Sequence, residues 1–286
     1  MIVTKETLDE FVISSDKLGG PGSPRVQRLW ENFKYVPTIE VNQEFDPYSN
    51  EYVNEQLALY KEIAGTTIDQ YTTELTNFSL EQSTNSANPY GVTDITYVSD
   101  HVRSISNALH YAKAPDNASV LDMGCGWGLS SEILSYCGAR VTAVDINPRF
   151  IELVNNRNKR FNFNISTAHS SFDDFTTTDM FDIVFFYECL HHSVDTWNVI
   201  NKYKQFLKPN GSFVITGEPI TNAYWKHWGL RLDPLSVYCI RKHGWFESGW
   251  SHDFLIDMLH RAKLAVEHIP NKGGSNSDVY IAKRID

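Results

Sequence analysis

The chain has 286 residues, a mass of 32.7 kDa and a formal net charge of −10, room for one α/β domain of enzyme size plus an extension. Its acidity sits at the start: residues 1–90 carry 6 basic and 14 acidic side chains, residues 91–286 carry 19 and 21. Neither stretch offers the basic footprint a nucleic acid needs, so no nucleic-acid partner is expected. No apolar run reaches the roughly 18 residues of a membrane span, and the N-terminus lacks the charged-then-apolar layout of a secretory signal. Cytoplasmic location without membrane insertion is the expectation. The four cysteines (Cys125, Cys137, Cys189, Cys239) form no C-x-x-C pair and read as buried thiols in a reducing compartment.

In chain order, Leu18-Gly-Gly-Pro-Gly-Ser-Pro24 is a turn-rich stretch that no single helix or strand can contain. From Asp46 to Leu80 the pattern is helical. Tyr52, Gln56, Leu59 and Ile63 recur at spacings of three and four, Gly65 interrupts, and Ile68, Tyr71, Leu75 and Phe78 resume. Ser83 to Tyr90 reads as a polar linker. Residues 94–113 follow as a helix with Val98, Val102, Ile105 and Leu109 on its apolar face. The expected division is therefore a helical extension over 1–93, serving as a cap or a homodimer contact or simply packing on the core, and an α/β domain over 94–286.

Residues 120–128 read Val-Leu-Asp-Met-Gly-Cys-Gly-Trp-Gly. An apolar strand ends in an acid, runs into three alternate glycines and opens a helix. Gly124, Gly126 and Gly128 allow tight dihedrals and let a ligand approach the main chain. Leu129, Ile133, Leu134 and Cys137 share one face of the helix, and Gly138 stops it. The next strand, Arg140–Val144, ends at Asp145, roughly 20 residues past the glycines, where a carboxylate suits the two hydroxyls of a ribose.

Asn147-Pro148 is a helix start, with Asn as cap and Pro at the first position. Asn162–Ala168 is the third strand expected. Phe181–Tyr187 is the fourth, apolar almost throughout as a strand buried on both faces should be. Trp197, Ile200, Lys204 and Leu207 mark a helix ended by Lys208-Pro-Asn-Gly211, and Ser212–Thr216 is the fifth strand. Ser251–Ala262 is a late helix, and residues 264–269 and 278–284 close the sheet as an edge hairpin.

The glycines are spaced Gly-x-Gly-x-Gly, unlike the Gly-x-Gly-x-x-Gly of dinucleotide sites, and Asp122 puts a carboxylate immediately before the loop. That charge suits a cationic ligand end better than a pyrophosphate. The stretch resembles the nucleotide loop of class I S-adenosylmethionine-dependent methyltransferases, closely over about residues 100–218 and loosely beyond. The resemblance implies a seven-stranded, Rossmann-like doubly wound sheet, with the helical extension before it and an aromatic-rich insert, residues 219–250, after the fifth strand. It also implies S-adenosyl-L-methionine as cofactor. Gly124, Cys125, Gly126 and Gly128 would pass under the methionyl part and Asp122 would lie near the sulfonium. Asp145 would hold the ribose, with Ile146 against the adenine. Where the family often has an acid for the adenine amino group, this chain has His169-Ser-Ser-Phe-Asp-Asp174. Ser171 and Phe172 are the adenine candidates there, while Asp173 is either a replacement acid or an exposed loop charge. Tyr187 and Glu188, ending the fourth strand, would sit beside the methionine.

Methyl transfer to a hydroxyl requires alignment and removal of a proton. His191 and His192 are the first candidates for the base and Glu218 the next, with a structural role for both histidines as the alternative. The insert carries Trp225, Trp228, Trp245 and Trp250 among polar and basic residues. Trp225, His227, Trp228, Arg231, His243 and Trp245 are the candidate acceptor contacts, a mixture that suits a saccharide, or else they form a satellite aromatic core. The expected reaction is O-methylation of a saccharide, glycan precursor or other small polar metabolite. The alternatives are C- or N-methylation of a metabolite or lipid-like acceptor, since the loop also resembles that of cyclopropane fatty acid synthases, and a non-catalytic cofactor-binding module. Asp173, Asp174 and Glu188 lack a recognisable ligand spacing, and no metal is expected.

Overall fold

The computed structural model describes residues 1–271 and 278–285. Two compact units account for the chain, and each is discontinuous: Leu75–Pro219 with Leu255–Asp286, and Met1–Glu74 with Ile220–Phe254.

The first unit holds a seven-stranded sheet, numbered here β1 (Ser119–Met123), β2 (Arg140–Asp145), β3 (Ile165–His169), β4 (Phe181–Tyr187), β5 (Leu207–Thr216), β6 (Leu264–Ile269) and β7 (Val279–Arg284). The spatial order is β6-β7-β5-β4-β1-β2-β3. β1 to β5 pair in parallel, and β7 runs antiparallel to both β5 and β6. The order reverses between β1 and β4, so a crevice is expected outside the carboxyl ends of those two strands. Register places Asp122 beside Phe185 and Asp145 beside His169. β4 is apolar because both faces are covered: Ile183, Val184, Phe185 and Phe186 are all buried. β5 begins earlier than expected. Lys208-Pro-Asn-Gly211 lies inside the strand, as a register irregularity against Phe181–Ile183.

Helix Ile95–Ala112 is capped by Asp94, which accepts from the Tyr97 N–H. Its buried side is Ser104, Ile105, Ala108 and Ala112. The expected stripe through Val98 and Val102 is rotated outward, with Val102 exposed, because small residues let the helix approach the sheet more closely than valines would. Helix Pro148–Phe161 starts as expected, Asn147 accepting from the Arg149 N–H. Residues 83–90 are not a linker. They belong to this unit, with a short helix at Leu80–Asn85, and a fully buried Arg157 donates to the carbonyls of Ser83 and Ser86 at 2.9 Å while pairing with Glu132. A buried guanidinium is tolerable only when paired and hydrogen-bonded in this way.

The second unit is built around helix Asn50–Ala64, which buries Tyr52, Gln56, Leu59 and Ile63 and ends at Gly65 in the left-handed conformation. The helical pattern does not resume beyond it. Only Gln70–Thr73 is helical, and Tyr71 and Leu75 are exposed. The insert supplies helix Pro234–His243 and the antiparallel pair Trp228–Leu230 with Ser248–Trp250. Gln56 accepts from the Leu230 N–H at 3.1 Å and the Tyr52 hydroxyl donates to the Trp228 carbonyl at 2.6 Å. The insert thus folds with the N-terminal helices, and the compact units divide at 74/75, 219/220 and 254/255.

Candidate active site

The turn after β1 is shaped by what its glycines must pass. A Cβ on Gly124, at φ +62°, would stand 2.6 Å from Cys189 Cβ, and one on Gly128, at φ +84°, 2.6 Å from Val154 Cγ2. Above Gly126, at φ +49°, the nearest atom would be a carbonyl oxygen at 4.0 Å, so the main chain there is open to a ligand. The loop closes onto β2 through the Cys125 N–H, which donates to the Val144 carbonyl at 3.0 Å.

Two buried aspartates face this loop. Asp145 accepts from the Gly126 N–H with one oxygen and the Asn147 N–H with the other, both at 2.8 Å. Each oxygen keeps a lone pair, which fits a ribose diol. Asp122 Oδ2 accepts from the Ser130 and Ser131 hydroxyls at 2.7 and 2.6 Å, whereas Oδ1 has no hydrogen-bond partner among the described residues. A buried carboxylate oxygen in that state calls for a donor or a cation. Burial pushes both acids up to about 6, against the N–H and O–H donors that pull them down.

The turn after β4 is organised by Glu218, at the end of β5 and 3% exposed. One oxygen accepts from the Cys189 and Leu190 N–H groups at 3.0 and 2.9 Å. The other accepts from the His191 N–H at 3.2 Å and meets His191 Nδ1 at 2.8 Å. Burial pushes this carboxyl up, but His191 and the backbone donors outweigh it and hold it below the ordinary glutamate value. His192 stacks on His191 with ring centroids 4.3 Å apart. On the other side of the turn, the Tyr187 hydroxyl meets His101 Nδ1. Burial, with Glu188, Tyr90 and Tyr97 adding to it, pushes the Tyr187 phenol well up, so it stays neutral.

The description "Methyltransferase domain" belongs to a family model that matches residues 121–215. A ubiquinone biosynthesis O-methyltransferase of Bartonella tribocorum is 30% identical over 204 residues, covering 66% of this chain and 76% of that protein. The chain belongs to the class I S-adenosylmethionine-dependent methyltransferases. Another protein of the same name, from Actinobacillus pleuropneumoniae, is 29% identical over 118 residues, which cover 39% of this chain and 48% of that one. The chain thus spans about half the length of such relatives. Among solved structures, YcgJ of Bacillus subtilis covers 65% of this chain and all of its own at 15% identity, with a TM-score of 0.53. A Burkholderia thailandensis 1,6-didemethyltoxoflavin N1-methyltransferase covers 68% of this chain and 82% of its own at 20% identity, with a TM-score of 0.51. These two likenesses concern the fold.

The cofactor of this methyltransferase is S-adenosylmethionine, and the residues around the glycine loop fit it: the open main chain at Gly126, the two N–H groups that set Asp145, and the unmet oxygen of Asp122. The chain after β3 is fastened to this edge, since the Ser170 N–H donates to the Asp145 carbonyl and His169 Nε2 meets the Ile146 carbonyl. Ser171 is buried with its hydroxyl against Asp174, and the Phe172 ring edge reaches within 3.4 Å of the Gly124 Cβ position. Asp173 is exposed, which favours the loop-charge reading.

Other expectations need correction. Glu218 accepts from three backbone N–H groups and meets His191 Nδ1, so its acceptor positions are taken up within the turn. Trp228 is 1% exposed and donates to the Pro47 carbonyl at 2.8 Å, which makes it core and not an acceptor platform. Phe246 and Trp250 are equally buried. Arg231 is ion-paired with Glu247, and Trp225 donates to the Leu230 carbonyl at 2.6 Å. His227 and Trp245 are half-buried, and His243, exposed, stacks on Trp245 at 4.8 Å. Cys137 is exposed, unlike the other three thiols, and all four cysteines are free. His101, Tyr90 and Trp127 also pack together beside these turns. Trp127 stood in the glycine motif itself and packs against Phe78 and Phe150, whereas nothing local marked the other two.

Proposed function

We propose that this methyltransferase methylates an oxygen of a small hydroxylated acceptor, with His191 as the general base. The observation that carries the reading is the contact of His191 Nδ1 with Glu218 Oε2 at 2.8 Å. An ionised glutamate accepts from Nδ1–H, which selects the tautomer whose Nε2 bears the lone pair. A hydroxyl acceptor needs such a base, because its proton must leave as its oxygen bonds to carbon. S-adenosylmethionine supplies a methyl carbon activated by positive sulfur. Asp145 is suited to its ribose, Asp122 to a cationic end, and Tyr187 and Glu188 to the methionyl part.

The similarity to ubiquinone biosynthesis O-methyltransferases favours oxygen as the methylated atom. A saccharide acceptor drew its support from the aromatic insert, much of which is core. Sugars therefore enter the acceptor screen beside phenols rather than ahead of them. Among the described residues no helix is long and apolar enough to cross a membrane.

The experiment is methyl transfer from labelled S-adenosylmethionine to a panel of phenols, polyols and sugars, run beside calorimetric titration of S-adenosylhomocysteine. Turnover that disappears in His191→Ala while the product still binds supports the reading. Turnover unchanged in that variant removes His191 from the chemistry.

A further inference from the structure

Residues 76–91 run as a strap along helix Pro148–Phe161 and the glycine loop, and side chains of that helix and its cap hold the strap by its main-chain carbonyls. Asn147 Nδ2 donates to the Thr76 carbonyl at 3.1 Å, Arg149 to that of Phe78 at 2.6 Å and Arg160 to that of Thr84 at 2.6 Å. The buried Arg157 uses all five of its guanidinium N–H groups, two on Glu132 and three on the carbonyls of Ser83, Ser86 and Ala87. Both ends of the strap reach the ring of Trp127, which stands between Gly126 and Gly128. Phe78 lies 4.5 Å from it, centroid to centroid, and Tyr90 6.0 Å.

The strap buries little of its own. Among residues 76–91 only Ser83 and Pro89 are buried, and the helix Leu80–Asn85 is shorter than two turns. A segment held by hydrogen bonds without an apolar core of its own belongs to the low-stability end of a fold and can open without the sheet. Thr84 Oγ1, Asn88 Oδ1 and Arg149 Nε are buried with no hydrogen-bond partner among the described residues, so docking carries a desolvation cost. Two residues then tie the strap to the ligand loop. Asn147, whose side chain holds Thr76, gives its own N–H to one oxygen of Asp145 at 2.8 Å. Trp127 follows Gly126, whose N–H donates to the other oxygen at 2.8 Å.

We propose that residues 76–91 are a latch for the cofactor: docked, the strap fixes Trp127 and Asn147, and through them the glycine loop and Asp145, so that S-adenosylmethionine is held tightly only while the strap is down. The proposal rests on the reading above that the cofactor lies on the glycine loop beside Asp145. Undocking returns the strap carbonyls to water and takes Phe78 and Tyr90 off Trp127, which loosens the loop that carries the Gly126 N–H. Binding and docking are then linked. A ligand that prefers the docked state draws the strap down, and a weakened strap weakens the ligand by the same factor.

The test is hydrogen exchange of the full chain, read by mass spectrometry with and without S-adenosylhomocysteine. The ligand should slow exchange over 76–91 about tenfold and leave the edge hairpin, β6 with β7, unchanged. Two variants loosen the latch while sparing Arg157, whose loss would leave a buried Glu132 unpaired. Phe78→Ala removes a ring from Trp127. Asn147→Ser keeps the helix cap but loses the donor to Thr76. Each should speed exchange over 76–91 in the free protein and speed dissociation of S-adenosylhomocysteine about tenfold, followed by stopped-flow tryptophan fluorescence. Ligand that binds without slowing exchange in the strap overturns the proposal. So do variants that loosen the strap yet release the ligand at the wild-type rate, or that loosen strap and hairpin alike. Wild type that binds no S-adenosylhomocysteine overturns the cofactor reading itself.

Discussion

At the β1–β2 side of the crevice, two buried aspartates are held by two donors each, and one oxygen of Asp122 has none. At the β4–β5 side, a glutamate buried to the same degree has four N–H donors. Residue class and burial are alike, yet the acids titrate in opposite directions: the aspartates rise to about 6 and Glu218 falls below its ordinary value. The partners decide the matter, with the charge interaction of His191 leading at Glu218 and hydrogen-bond donors behind it. Where the fold provides few donors, desolvation wins and acceptor capacity is left for a ligand. Where it provides a full set, the carboxylate is spent on the fold and becomes a rigid support for the side chain it holds.

The largest effect should follow from removing what Glu218 supports. His191→Ala is expected to lower kcat by about 10²- to 10⁴-fold, the usual contribution of a general base, with the dissociation constant of S-adenosylhomocysteine unchanged. Steady-state kinetics on an identified acceptor, beside calorimetry, separates the two numbers. A loss of binding equal to the loss of rate would place His191 with the cofactor instead.

Asp145→Ala should act on the opposite quantity. Two hydrogen bonds to a charged group, at about 1.5–3 kcal/mol each, correspond to at least 10²-fold in affinity for S-adenosylhomocysteine. Calorimetric titration reads it directly. Binding within threefold of wild type would mean that this acid serves the loop and not the ribose, as Glu218 serves the turn after β4.

The two sides of the crevice were not equally legible in the sequence. Asp145 announced itself because its role depends on a spacing along the chain, a strand tip at a set distance past three glycines. Glu218 and His191 are 27 residues apart and meet only because β4 and β5 are neighbours, so residue types alone left both as candidate bases. His101 and Tyr187 are 86 residues apart and gave less signal still. The alternation of strands and helices was readable from β1 to the edge hairpin. The insert misled for a related reason. Amphipathic rings interleaved with polar groups look the same whether they await a ligand or already satisfy one another, and Trp228 and Arg231 do the latter.

Glu218→Gln tests the supporting role itself. An amide keeps one acceptor oxygen but turns N–H groups toward backbone N–H groups. The expected cost is about 1–3 kcal/mol of stability, that of buried donors left unmet, together with a lower kcat as His191 Nδ1–H loses its ionic partner. Urea denaturation and turnover should fall together. A variant of unchanged stability that is merely slow would show the four hydrogen bonds to be dispensable and the charge alone to matter.

The smallest effect, and the one that bears most directly on why the two sides differ, is the pH dependence of cofactor binding. Asp145 must be ionised to accept from two hydroxyls while keeping its two N–H bonds. Burial has raised it to about 6. A group at that value binds its proton more tightly folded than unfolded, so the ligand-free protein loses stability as pH rises from about 4 through 6. Affinity moves the other way, tightening as the carboxyl ionises, and should improve about tenfold between pH 5 and 7. Glu218 adds little change between pH 5 and 7. Held below its ordinary value, it adds stability that is present above that value and is lost only as pH falls beneath it. Titrations of S-adenosylhomocysteine at pH 5, 6 and 7 should therefore follow the aspartates, and Asp145→Asn should flatten the profile to whatever Asp122 contributes. A wild-type profile already flat would mean that Asp145 is ionised throughout, and that its two N–H donors outweigh desolvation as fully as His191 and the backbone donors do at Glu218.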